Sequence, residues 1–229
     1  MIIPLKLGFV TVFALRGSRT VLVDTGYAGS EEAILTKLGE YGIAKDDVSL
    51  ILITHGHTDH FGSVAALHES TGAPVGVHPA DAEFVRAGKN PPVKITARVN
   101  RLVKLLIDEK AAKKIAGQEP DVYLENGMSL ERYGVEGTVV ATPGHTAGSV
   151  SIIRADGDAL IGDLLMGKLV HPQQPRWPFF ADDIRAVRES LQALYDRGVQ
   201  QFHASHGGPF SRKRIADLLS AGDLPDPGT

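Results

Sequence analysis

The apolar run Val48-Ser49-Leu50-Ile51-Leu52-Ile53 leads, after a single threonine, into His55-Gly56-His57-Thr58-Asp59-His60, and this junction constrains the chain more than any other feature. A short apolar, β-branched run of that kind reads as a buried strand. Imidazole nitrogen and carboxylate oxygen are the usual zinc donors when thiolate is absent, and the chain has no cysteine. Alternate side chains share a face in extended or turning backbone. His55 and His57 can therefore converge on one ion, while Asp59 and His60 can turn toward a second. Four donors within six residues imply two adjacent metals, because a single ion could hardly take all four from so short a loop.

Three isolated residues complete such a site. His145 lies in Thr142-Pro143-Gly144-His145-Thr146, Asp163 in Leu160-Ile161-Gly162-Asp163, and His206 in Ala204-Ser205-His206-Gly207-Gly208. Each follows a short apolar run and is flanked by Gly or Pro, as expected of ligands on loops at strand ends, where a rigid scaffold carries function.

Taken together, His55-x-His57-x-Asp59-His60, His145, Asp163 and His206, with the early Val21-Leu22-Val23-Asp24-Thr25-Gly26, resemble the metallo-β-lactamase fold superfamily over nearly the whole chain. The resemblance implies that His55, His57 and His145 hold a first metal, that Asp59, His60 and His206 hold a second, and that Asp163 bridges them. It gives Asp24 a supporting role behind the ligands. The expected cofactors are two zinc ions per chain, with iron or manganese also compatible with these donors. Asp59 and Asp163 are the expected catalytic carboxylates. The implied reaction is attack by a hydroxide shared between the ions on an ester-like bond, since zinc brings the pKa of bound water down to about 7.

Within the superfamily, the bridging Asp163 is similar to the pattern of glyoxalase II (hydroxyacylglutathione hydrolase), lactonases and related phosphodiesterases. The first reading is hydrolysis of a small thioester, lactone or carboxyl ester. An iron-dependent oxygenase similar to persulfide dioxygenases is an alternative on the same fold. A phosphodiesterase or a weak promiscuous β-lactamase is a further one. β-Lactamases with a cysteine ligand are excluded, since this chain has no cysteine. Only about two dozen residues follow His206, so the glutathione-binding helical region that usually follows the glyoxalase II core is expected to be missing or replaced. The stretch Leu164-Leu165-Met166-Gly167 lacks the tyrosine that acyl-homoserine lactonases place shortly after the bridging aspartate.

The order of patterns fits a four-layer αββα sandwich, two mixed β-sheets flanked by helices. A length of 229 residues suits one domain over residues 1–222, with a helical insertion at about 79–119 and a flexible tail at 223–229. Strands are expected at Gly8–Leu15, Thr20–Val23, Asp47–Ile53 and Pro74–Val77, and a helix at Phe61–Thr71. Ser30 is placed to cap a helix beginning Glu31-Glu32, and Asp182 or Asp183 to start the helix marked by Ile184, Val187, Leu191 and Leu194.

Between residues 93 and 115 the sequence is basic and amphipathic, with Val99, Leu102, Val103 and Leu106 at helical spacing. Three uses fit it: a helix packed on the domain or on a partner in a homodimer, a lid over the metals, or a patch docking to an anionic membrane. A second variable stretch, Val170 to Phe180, holds His171, Trp177, Phe179 and Phe180, which are candidates for a substrate-pocket wall. Anchoring of that loop to the core is the competing role for its aromatics. Of the remaining histidines, His68 reads as a surface residue, and His78 and His203 as hydrogen-bonded or packed. A formal charge of −3 gives no reason to expect nucleic acid as a partner, and no apolar run is long enough to insert stably in a membrane. The expected partner is a small-molecule substrate, and the expected location is the cytoplasm.

Overall fold

The protein is described by a computed structural model covering residues 1–97, 115–222 and 224–225. The amphipathic positions Val99 to Leu106 and most of the expected tail at 223–229 lie outside the described residues.

Two sheets carry the fold. The first has six strands in sequence order: β1 (Ile2–Leu7), β2 (Val10–Arg16), β3 (Thr20–Val23), β4 (Val48–Leu52), β5 (Val75–Val77) and β6 (Val122–Tyr123). β1, β2 and β3 run antiparallel, and β3 through β6 are parallel. The second sheet orders β13 (Phe210–Ser211), β12 (Gln201–His203), β9 (Asp158–Leu160), β8 (Val150–Ile153) and β7 (Thr138–Ala141). Within it β9 and β12 are parallel and the other pairs antiparallel. A small ribbon joins β10 (Met166–Gly167) to β11 (Pro175–Arg176). Among the described residues the α-helices are α1 (Glu31–Glu40), α2 (Thr58–Phe61), α3 (Val64–Thr71), α4 (Ala82–Ala87), α5 (Ile184–Asp196) and α6 (Arg212–Ala221).

Period-two patterning turns these elements into layers, because successive strand residues face opposite sides. In β2, Val12 and Ala14 pack with Ile34 and Leu38 of α1 and Val64 and Leu67 of α3. Phe13 and Leu15 point the other way, where they meet Val139 of β7, Val150 and Ile152 of β8, and Leu160 of β9. The far side of the second sheet, including Val140, Ala159 and Phe202, packs on Val187, Leu191 and Leu194 of α5 and Ile215 and Leu219 of α6. Helix, sheet, sheet and helix follow one another, as expected. Among the described residues no helix is long and apolar enough to cross a membrane.

Local differences from expectation have local causes. The chain's first residues form an edge strand, β1, with Ile3 and Leu5 buried and Pro4 and Lys6 exposed. Proline is tolerated at such an edge, and here it hid the strand. The helix expected over Phe61–Thr71 is two helices, α2 and α3, broken at Gly62 and Ser63. The Gly62 N–H donates to Gly26 O, and a Cβ at Gly62 would stand 2.4 Å from the backbone nitrogen of Ala28. Tertiary contact with the loop after β3 therefore interrupts the helix. Ser30 does precede α1, but its side chain makes no capping bond. Asp183 caps α5, accepting from the N–H groups of Arg185 and Ala186.

Candidate metal centre

Every candidate donor follows the carboxyl end of a strand. Asp24 follows β3 and the His55–His60 run follows β4; since these strands are parallel, both loops emerge at one end of the first sheet. Asp163 follows β9 and His206 follows β12, again a parallel pair. His145 lies in the loop between β7 and β8. Two backbone hydrogen bonds tie the sheets together at this end: Val150 N–H to Thr54 O at 2.9 Å and Thr11 N–H to Ser205 O at 2.8 Å. Gly162, with φ of +51°, lets the Asp163 loop press on the β4 loop, since a Cβ there would lie 3.1 Å from Thr54 Oγ1.

The seven expected donors meet in one cluster, buried except for the partly exposed Asp59. His57 Nδ1 stands 3.0 Å from His55 Nε2 and 2.9 Å from His145 Nε2. On the other side His60 Nε2 lies 3.8 Å from Asp59 Oδ2 and 3.6 Å from Asp163 Oδ1, and His206 Nε2 lies 3.3 Å from Asp59 Oδ2 and 3.4 Å from Asp163 Oδ2. Asp163 Oδ2 also reaches within 3.7 Å of His145 Nε2, so this carboxylate stands between the two groups. The sets His55-His57-His145 and Asp59-His60-His206 each have the spacing of a single ion's ligands.

The ring orientations are imposed from behind. His55 Nδ1 meets Thr54 Oγ1 at 3.1 Å, His145 Nδ1 donates to Phe180 O at 2.8 Å, and His206 Nδ1 donates to Phe9 O at 2.9 Å. His60 Nδ1 is held at 2.8 Å by Asp24 Oδ2, itself fixed by the N–H and hydroxyl of Thr54. Asp24 is fully buried and adopts a left-handed φ of +66°, a backbone strain offset by these three bonds. With one nitrogen of each of these four rings occupied, the other is aimed inward, the arrangement that orients metal-binding imidazole.

Two buried side-chain atoms among the described residues have no hydrogen-bond partner: His60 Nε2 and Asp163 Oδ1. A buried polar atom without a partner costs free energy. Both atoms face the space between the donor groups, and cation coordination satisfies both. Imidazole nitrogen and carboxylate oxygen in this number fit borderline-hard divalent ions.

Without ions, the cluster stores protons unevenly. Burial drives protons off His55, His57 and His145, reinforced at His57 by neighbouring His145, so that its pKa falls to about 3. Burial opposes charge on His60 and His206 as well, but Asp163 leads the carboxylates that outweigh it; His60 is raised well above the usual imidazole range and His206 to about 10. Burial would raise Asp59 and Asp163, yet the facing His60 and His206 hold both carboxyls below their ordinary range. Protons thus occupy the Asp59-His60-His206 side and are excluded from the three-histidine side.

The residues expected around the substrate separate. A small cleft beside His57 and His145 is lined by Pro91, Pro92, Val93, Lys94 and Phe180 among others. Phe180 is therefore at the cleft, and Phe179 packs behind it with Met166, Val93 and Ile95. Trp177 is 8% exposed and belongs to the core against α5 and α6. His171 is exposed, in turns bonded to Lys168 and Gln174, and does not line the cleft. Trp177→Ala is accordingly expected to cost about 3–5 kcal/mol in urea unfolding, with KM unchanged. A raised KM at intact stability would put the indole at the substrate instead. Of the other histidines, His203 bonds Asp158 and His78 accepts from Ala80 N–H. His68, expected at the surface, is half-buried and bonds Ala73 O behind α3.

Two residues near the centre were not singled out from the sequence. Tyr27 carries a phenol raised to about 12, by burial first and then by the fields of Asp59 and Asp163, so it keeps its proton and stays a hydrogen-bond donor. It comes from the loop after β3, not from the stretch after Asp163. The other is Asp81, which bonds the Gly56 N–H and the Thr146 hydroxyl.

Residues 5–198 match the Metallo-beta-lactamase superfamily, and the chain belongs to that superfamily. Among curated relatives it is similar to the probable metallo-hydrolase YflN of Bacillus subtilis, 25% identical over 220 residues that cover 87% of this chain and 80% of YflN. It is also similar to the probable metallo-hydrolase MJ0888 of Methanocaldococcus jannaschii, 26% identical over 199 residues covering 85% and 86% of the two chains. The crystal structure of the metallo-beta-lactamase family protein TTHA1429 from Thermus thermophilus superposes with a TM-score of 0.70 at 26% identity, covering 97% of this chain and 78% of that one.

Proposed function

We propose that this chain is a metal-dependent hydrolase with a dinuclear centre, acting on an ester-like bond of a small molecule: a thioester, lactone or carboxyl ester. In this reading His55, His57 and His145 would hold one ion and Asp59, His60 and His206 the other, with Asp163 placed to contribute to both. The observation that carries it is the pair of orphaned buried atoms, His60 Nε2 and Asp163 Oδ1, in a cluster where the His55, His145 and His206 rings are already oriented from behind. The relatives' descriptions as probable metallo-hydrolases agree with it.

Divalent ions held there supply Lewis acidity and make water nucleophilic near neutral pH. The chain's own residues do the rest. Asp163 fixes the separation of the two donor groups. Asp59 is the more accessible of the two cluster carboxylates, 26% exposed against 7% for Asp163, and is placed to accept a hydrogen bond or a proton from water at the mouth. Phe180, Pro91, Pro92 and Val93 offer apolar contact to a substrate, and Lys94 a positive charge at the same cleft. Tyr27 remains protonated and able to donate to an oxygen that gains charge. Engagement of the full donor set favours two ions over the single iron of a persulfide dioxygenase-like reading.

The test is metal analysis joined to a hydrolysis panel of thioesters, lactones, carboxyl esters, phosphodiesters and a β-lactam. The expected result is about two zinc ions per chain and one substrate class turned over at kcat/KM of roughly 10⁴ M⁻¹s⁻¹ or more. One iron per chain without hydrolysis would overturn it.

A further inference from the structure

Asp81 is a carboxylate 1% exposed, and among the described residues no Lys, Arg or His side chain pairs with it. A buried charge in that position is costly unless hydrogen bonds satisfy it. Three do. Its Oδ2 accepts from the Gly56 N–H at 2.7 Å and from the Thr146 hydroxyl at 2.6 Å, and its Oδ1 accepts from the Gly148 N–H at 3.0 Å. Bonds to an ionised acceptor are stronger than neutral ones.

The partners are what matter. Gly56 stands between His55 and His57, Thr146 directly follows His145, and Gly148 closes the same turn. One carboxylate therefore clamps both loops that present His55, His57 and His145, although those loops belong to different sheets. The contact is built for proximity: a Cβ at Gly148 would stand 2.5 Å from Asp81 Cγ, and one at Gly56 would stand 3.2 Å from Asp81 Cβ. Asp81 precedes α4, where an aspartate ordinarily caps the helix, yet its side chain makes no capping bond there. The carboxylate is turned away from its own helix toward the two loops.

We propose that Asp81 is the positioning residue for the three-histidine half of the centre, setting the distance between the His55-His57 pair and His145. This rests on the metal-site reading above. Groups that orient ligands from behind typically govern metal affinity by about 10–100-fold.

The experiment uses the full-length chain stripped of metal and titrated with cobalt(II) against a chelator, with visible spectra recorded at each step and the unfolding temperature of each variant measured. In Asp81→Asn, an amide N–H₂ must face a group that is itself a donor. One of the two binding steps is expected to weaken about 10–100-fold, with altered cobalt bands for that step and a smaller change in the other. Thr146→Val removes one of the three bonds and is expected to shift the same step less; it carries the test if Asp81→Asn does not fold. Unchanged affinities and bands in folded variants would overturn the proposal, even if the unfolding temperature drops. A wild-type chain that takes up no ion would instead overturn the metal-site reading.

Discussion

Asp163→Ala is expected to lower kcat/KM by at least about 10³-fold and to remove at least one metal-binding step. Loss of a single preorganised electrostatic contact costs about 10²–10³ in rate, and this side chain faces both donor groups. It is 3.4 Å from His206 Nε2 and 3.6 Å from His60 Nε2 on one side, and 3.7 Å from His145 Nε2 on the other. Asp59 offers the contrast, since it stands beside His60 and His206, at 3.8 and 3.3 Å. Asp59→Ala should therefore weaken one binding step and leave the three-histidine step near its wild-type affinity. Metal content and steady-state kinetics on both variants decide the matter. An Asp163→Ala protein that keeps two ions and most of its activity would end the bridging role.

The second large effect concerns the metal-stripped chain, whose stability should peak near pH 6.5 and fall on both sides. On the acid side, His55, His57 and His145 refuse protons that the unfolded chain binds at about pH 6.5. The unfolded state then carries more protons, so unfolding becomes easier as pH falls, by up to about 1.4 kcal/mol per pH unit for each histidine. On the alkaline side, His60 and His206 keep protons that the unfolded chain gives up. Their contribution is complete below about pH 6.5 and is lost as pH rises through their folded values, about 10 for His206. Asp59 and Asp163, held low, withdraw their support only in stronger acid. Urea unfolding at pH 5, 6.5 and 8.5 reads the histidine contributions on both sides. Metal loading should abolish the alkaline loss, because ions replace the protons on His60 and His206. A stability that stays flat from pH 5 to 8.5 without metal would show that the cluster does not hold its protons this way.

The donors were legible because each is a rare, chemically committed side chain directly after an apolar strand, and because four of them crowd into the six residues His55–His60. The layered core was legible from period-two strands such as β2 and from the 3.6-residue spacing in α5. β1 was not, because a proline inside a short edge strand looks like a break. The split between α2 and α3 was not, because the Gly62 contact comes from a loop more than thirty residues earlier in the chain. Asp81 was hidden by an adequate local explanation, a helix cap, although the residues it serves lie 25 and 65 positions away. Trp177 and Phe180 are three residues apart in one aromatic stretch, and no local pattern separates the core anchor from the cleft wall.

By itself, then, the sequence determined the donor chemistry, the secondary elements that carry it and the alternation that stacks two sheets between helices, since each depends on residue type and short-range spacing. The tertiary structure alone decided that Asp163 stands between the two donor groups, that Asp24 and Asp81 brace them from behind, and that Phe180 rather than Trp177 faces the cleft. Those are distances between groups brought together by parallel strand pairing and sheet packing, and such distances follow from how the whole chain closes on itself.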